Sequence, residues 1–296
     1  MIIVDPIDIL PPMVVSNSAI DESYPAWAAG SYTQGQTVIY ERKIYEVLAS
    51  TTTDRPDIGV VKTPPSWLDL GAVNRWRMFD EAIETQTTAD VELAVSIQAG
   101  SAVTAIAAFN VNAVTMNVTM TDPVEGVVFN ETRSLADVGV SSWWEYFFKP
   151  IDRVSDVIFS DLPSYSQATV TVTFSEPTGT AAVGYLTLGV QTELGMTLSG
   201  VSAGIIDYSR KNTDEFGRTS IVRRGFSKRA EYDVAVETAQ TGRVQRILAG
   251  VRSKPVVWIG DKDKEATIVV GFFRDFSINV KGVCMSDATI SVEGLV

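Results

Sequence analysis

A chain of 296 residues with 45% hydrophobic and 20% charged side chains is long enough for two or three domains and too apolar to be disordered throughout. It has no histidine and one cysteine, Cys284, which removes His-based triads, imidazole acid–base catalysis, most zinc sites and any internal disulfide. The net charge of −12 is lopsided, with 8 basic and 19 acidic side chains in residues 1–150 against 16 and 17 in residues 151–296.

The acidic front half disfavours general nucleic-acid or anionic-membrane binding and suits docking against a basic surface. Carboxylate or Ser/Lys catalysis remains open on composition alone. No apolar run approaches the roughly eighteen residues of a membrane span, and the start carries acids where a signal peptide needs bases. The sequence therefore reads as a soluble protein folded in a reducing compartment, with Cys284 expected as a buried thiol in the apolar stretch VKGVCMS.

Residues 1–20 are apolar and carry Pro6, Pro11 and Pro12, a combination that predicts an extended arm rather than a helix or a central strand. Such an arm must bury Ile2, Ile3, Val14 and Val15 either on its own domain or on a neighbouring subunit. Residues 21–75 are punctuated as a compact module: Thr37-Val38-Ile39-Tyr40, a polar turn at residues 41–43, then Ile44 to Leu48, a predicted hairpin.

The order W-x-x-G-x-Y-x-x-G-x-x-V-x-Y, carried by Trp27, Gly30, Tyr32, Gly35, Val38 and Tyr40, is followed by Tyr45, Val47 and a closing Trp67. It resembles the small chitin-binding module of bacterial chitinases over roughly residues 24–71. The resemblance implies the fold of that module. Its sugar-stacking aromatics have no counterpart in Ala49 to Asp54, so the matching rings are expected to form a core.

Residues 76–190 read as an antiparallel β-sandwich or jelly roll. Val91, Leu93, Val95, Ile97 and Ala99 alternate with polar or small residues, as do Val114 to Met120 and Ala168 to Phe174, and turns are expected at residues 122–126 and 177–179. The aromatic run around Trp143 and Trp144 is open to three readings: core packing, a subunit interface or ligand binding. Residues 191–296 predict an α+β domain with one helix, in which Val244, Ile247, Leu248 and Val251 share a face.

Three charged features hold candidate chemistry. Arg210, Lys211, Arg218, Arg223, Arg224, Lys228 and Arg229 form a basic segment in an acidic protein, expected to make an inter-subunit contact, with a solvated loop and then nucleic-acid binding as the alternatives. Asp261, Asp263 and Glu265 have Ca²⁺-ligand chemistry without EF-hand spacing and read as a charged turn. Glu81 with Glu84, or Asp207 with Asp214, are the acid pairs a glycosidase would need, at spacings that carry no specificity.

An apolar arm, a small module, a β-sandwich and an α+β tail without catalytic residues together resemble virion structural proteins of tailed bacteriophages, in the tail, baseplate or neck. That resemblance implies a non-enzymatic, mainly β protein made in the host bacterial cytoplasm and residing in the virion. It also implies self-association into a ring or collar with other virion proteins as partners, and no cofactor, metal, nucleic acid or membrane. The arm would bury against an adjacent copy, and the basic segment would dock on the acidic surface of residues 1–150. The alternative is a cell-surface glycan-binding module using Trp27, Trp67, Trp143 or Trp144.

Overall fold

In the computed structural model, which describes residues 1–137, 142–148, 152–198, 200–213 and 215–296, the period-2 segments become strands of two large antiparallel sheets. The chain is mainly β, with one helix longer than two turns among the described residues, Thr241–Gly250. That helix buries Val244 and Leu248, as its apolar spacing predicts.

The smaller of the two sheets has five strands, ordered Gly126–Ser134, Thr115–Asp122, Thr169–Val183, Thr87–Gln98 and Val14–Asn17. Its inner face is the alternation read from the sequence: Leu93, Val95 and Ile97, then Met116, Val118 and Met120, then Val170, Val172 and Phe174. Two expectations shift. Val91 is exposed at a positive φ of 65°, and residues 177–179 are not a turn. They form a bulge inside the strand Thr169–Val183, where the register jumps between Ser175 and Thr180.

The larger sheet has ten strands. In order these are Val157–Phe159, Ala105–Phe109, Tyr185–Glu193, Ile2–Pro6, Val256–Ile259, Ile268–Asn279, Met285–Gly294 and Phe226–Glu237, with Met196–Thr197 and Ser202–Asp207 both on the last. One part of one face packs on the five-stranded sheet through Ile106, Phe159 and Leu188. The rest of that face packs through Trp258, Tyr232 and Ile290 with Val244 and Leu248 of the helix. The opposite face, with Val4, Phe109, Ile158, Val257 and Val270, faces the inside of a curl. Segment 79–86 fills that curl: Ile83 N–H donates to Val296 O at 3.0 Å, and Asn110 Nδ2 donates to Ile83 O at 2.7 Å.

The N-terminal strand corrects the reading of residues 1–20 as an arm. Ile2–Pro6 sits between Tyr185–Glu193 and Val256–Ile259, pairing Ile3 with Thr192 on one side and Trp258 on the other. Ile3 and Val4 are 1% and 0% exposed and serve opposite faces of the sheet. Ile3 is thus a core residue of its own chain, and Ile2 packs half-buried against the core inside the curl, so the strand is no free arm. Pro6 is tolerated because the ladder to Val256–Ile259 ends at Val4, so its missing N–H is needed on neither side. Farther on, Val14 packs against the sandwich core and pairs with Ile97, while Val15 is exposed.

The same strand dissolves the boundary expected at residue 190, because one continuous sheet runs from strands of residues 105–193 into strands of residues 226–294. Gly189 permits this close pairing: a Cβ there would lie 2.2 Å from Asp5 O.

The small module holds its expected hairpin, Thr37–Tyr40 against Lys43–Val47, closed by Trp67–Ala72. Val38, Tyr45, Val47 and Trp67 form its core. Cys284 is exposed, contrary to the buried thiol expected. Its apolar stretch is the tip of the hairpin between Ile268–Asn279 and Met285–Gly294, where local turning wins over burial and Val283 is exposed as well.

Truncation of residues 1–6 should abolish cooperative unfolding, because it removes a central strand. Ile3→Ala should cost about 2–5 kcal/mol in urea titration, the range for a large-to-small change in a packed core, whereas Val15→Ser should stay within about 0.5 kcal/mol. A truncated chain that melted like the intact one would show the strand to be dispensable.

Candidate functional site

The basic segment lies on a β-ribbon that leaves the sheet. Ser202–Asp207 pairs with the Phe226–Glu237 strand from Ser202↔Glu231 to Asp207↔Phe226, and after a short break Arg210–Thr213 pairs with Thr219–Val222. Its Thr, Ser, Ile and Val content favours strand, and Gly217 at φ 76° serves the turn at the tip. The break is held at its base: Ser209 N–H donates to Asp207 Oδ1 at 2.8 Å and Arg224 N–H to Ser209 Oγ at 3.1 Å. The Ser209 hydroxyl foremost, then the Ser209 N–H and the charge of Arg223, hold the Asp207 carboxyl below its usual range.

Beyond Asp207 the paired strands of the arm bury no side chain among the described residues. Every residue of Arg210–Thr213 and of Thr219–Val222 is exposed. Residues directly opposite share a face of a ribbon, so one face carries Arg210 opposite Val222 and the other Lys211 opposite Ile221. Arg223 and Arg224 follow at the base and Phe226 is exposed beside them. Arg218, near the tip, is also exposed. A two-stranded ribbon without a third strand or a covering face is marginal in water, so this one has an energetic reason to meet a partner.

Two members of the basic segment lie beyond the arm. Arg229 is exposed at the ribbon's root. Lys228 is a correction, because its Nζ lies 2.6 Å from Asp156 Oδ2 and 3.9 Å from Glu265 Oε1. Asp156 is nearly buried and also accepts from Asn110 N–H at 3.2 Å; Glu265 accepts from Ser155 Oγ at 2.9 Å. This network joins the loop before Val157–Phe159, at one end of the ten-stranded order, to a strand near the other end. It closes the curl beside a cleft of about 440 Å³ lined by Phe109, Phe226, Val269 and Leu295. Lys228 is therefore a structural cation.

The other candidates separate in space. Glu265 turns away to Ser155 while Asp261 pairs with Lys264 at 2.9 Å, so the three acids of that turn do not converge on an ion. Glu81 borders a groove beside the N-terminal strand, and Glu84 lines the cleft. Asp207 serves as a turn cap; Asp214 lies outside the described residues.

Of the tryptophans, Trp67 is buried and donates Nε1–H to Asp54 O at 3.1 Å. Trp27 meets Tyr40 edge-on at 5.5 Å. Trp67 belongs to the module's core, and Trp27 packs half-buried against that core. Trp143 and Trp144, by contrast, are 81% and 68% exposed, on a short helix, Trp143–Phe148, that also exposes Phe147 and Phe148. Core packing, one of the three readings of this run, does not hold for these four exposed rings. A further aromatic site went unread: Trp76, under the Arg42 guanidinium at 4.9 Å, lines a groove of about 660 Å³ with Tyr40 and Phe79. Its only sequence signal was a Trp between two arginines.

Lys228→Met should destabilise the fold by about 1–3 kcal/mol, less than for a fully buried pair because the lysine still reaches solvent. Arg223→Gln should change stability by no more than about 0.5 kcal/mol. Chemical denaturation of the two variants side by side separates the structural cation from the surface ones, and equal losses would contradict the assignment. No protein-family model matches the chain, and a search of curated proteins finds no match to it.

Proposed function

We propose that the chain is a structural protein of a tailed-phage particle, in the tail, baseplate or neck, that works by self-association rather than by chemistry. The observation that carries the assembly reading is the arm: a ribbon with no core of its own, bearing exposed cations beside exposed Ile221, Val222 and Phe226. Apolar side chains interleaved with charge on a projecting element favour a protein partner. The acidic remainder of the chain makes a further copy a complementary one. The phage setting rests on resemblance of architecture, and it would place the protein in a multi-copy ring or collar. A cell-surface glycan is the second reading, favoured by the exposure of Trp143 and Trp144, whereas Trp67 is buried.

Light scattering across a concentration series tests the first reading. The intact chain should form a defined oligomer, and a variant in which an Asn-Gly turn replaces residues 208–225 should remain a folded monomer. An intact chain that stays monomeric throughout would remove self-association. Titration with chitin oligomers or lipopolysaccharide should leave the tryptophan fluorescence unchanged if assembly is the role; saturable quenching lost in Trp143→Ala/Trp144→Ala would establish the glycan reading in its place.

A further inference from the structure

The groove beside the end of the N-terminal strand has the chemistry that the arm lacks. It encloses about 380 Å³ and is lined by Asp5, Asp8 and Glu81 together with Ile7, Phe79 and Phe272; Lys254 is the one cation on its wall. The three carboxylates are exposed. None of them has an ion-pair partner among the described residues, and the same holds for Arg210, Lys211, Arg223 and Arg224 of the arm.

Both surfaces interleave unpaired charge with apolar side chains, and their signs are opposite. On the arm, Val222 stands opposite Arg210 and Ile221 opposite Lys211, so either face of the ribbon offers one apolar and one cationic contact. In the groove, Ile7 lies between Asp5 and Asp8, and Phe79 lies two residues before Glu81. Segment 79–86 fills the curl between the groove and the cleft at the arm's root, and no ion pair joins those arm cations to the groove within one chain.

We infer that this groove receives the arm of a second copy of the chain, Asp5, Asp8 and Glu81 meeting its cations while Ile7, Phe79 and Phe272 cover its apolar residues. The inference rests on the assembly reading above and names its acceptor. An arm on one copy and a groove on the next make a heterologous contact, which propagates into a ring if the rotation closes and into a filament if it does not. Much of the contact is electrostatic at an exposed rim, so assembly weakens as salt rises.

The test uses the full chain in two neutralised forms, one with Asp5→Asn, Asp8→Asn and Glu81→Gln, the other with Arg210→Gln, Lys211→Gln, Arg223→Gln and Arg224→Gln. Circular dichroism checks that both remain folded. Each alone should need about tenfold or more higher concentration than the unmodified chain to associate, since loss of 1.4 kcal/mol is a factor of ten. Mixed in equal amounts they should give a heterodimer and nothing larger, because one form keeps a working arm and the other a working groove. If the groove form assembled like the unmodified chain while the arm form did not, the acceptor would lie elsewhere and the assembly reading would stand. An unmodified chain that never associates would remove both, whereas an arm form that assembles normally would overturn the arm-in-groove contact and leave self-association standing on another surface.

Discussion

The molecule depends on five residues at its beginning. Ile2–Pro6 is the strand through which the larger sheet is continuous: Tyr185–Glu193 is on one side of it and Val256–Ile259 on the other. Because side chains alternate across a strand, this short segment supplies Ile3 to the core under the helix and Val4 to the inside of the curl. Its partners lie roughly 190 and 255 residues away in sequence, so the loop-closure entropy is spent before its contacts form. The strand is expected to lock into place late, once the two portions of the sheet that it joins are present.

The curl that follows from this continuity sorts the charges. Where the ends of the sheet approach, Lys228 is drawn to Asp156 and Glu265, and a cation that belongs by sequence to the basic segment becomes part of the fold. Arg153 does similar work with Glu176, a carboxylate buried in the bulge of the five-stranded sheet. The arm begins immediately beyond Lys228, where the strand loses its neighbours. The same run of basic residues is therefore divided by topology into a structural part and an exposed part. Net charge by segment does not reveal that division.

Much of the fold was legible because local pattern and burial agree. The alternations around Leu93, Met116 and Val170, the hairpin of the small module and the helix face of Val244 and Leu248 each state their partner face within a few residues. What was not legible depended on contacts far away in sequence. Prolines in residues 1–20 argue against a central strand, yet the second ladder stops at Val4, before Pro6. The stretch around Cys284 is apolar enough for a core, but it is the only way to turn between two long strands. At Pro177-Thr178-Gly179 the turn chemistry was present, yet cross-strand pairing on either side kept the strand going and made a bulge. For the candidate site, the basic residues could be read and their separation by the curl could not.

The arm also bears on why a protein would keep such a feature. Ordering a residue's backbone costs about 1–2 kcal/mol, and a two-stranded ribbon recovers little of that without a packed face. Over Arg210–Thr213 and Thr219–Val222 the described structure supplies ladder hydrogen bonds and no buried face. A partner that covers Ile221 or Val222 would add the missing burial at about 25 cal/mol per Å² of apolar surface. One that also neutralises Arg210 and Lys211 would relieve the repulsion between neighbouring cations. The ribbon is then better ordered when docked than when free, so binding and ordering of the arm are a single thermodynamic step. Such coupling would let a chain stay monomeric while it is dilute and assemble when copies are brought together, since the ordering cost would be met only in the contact.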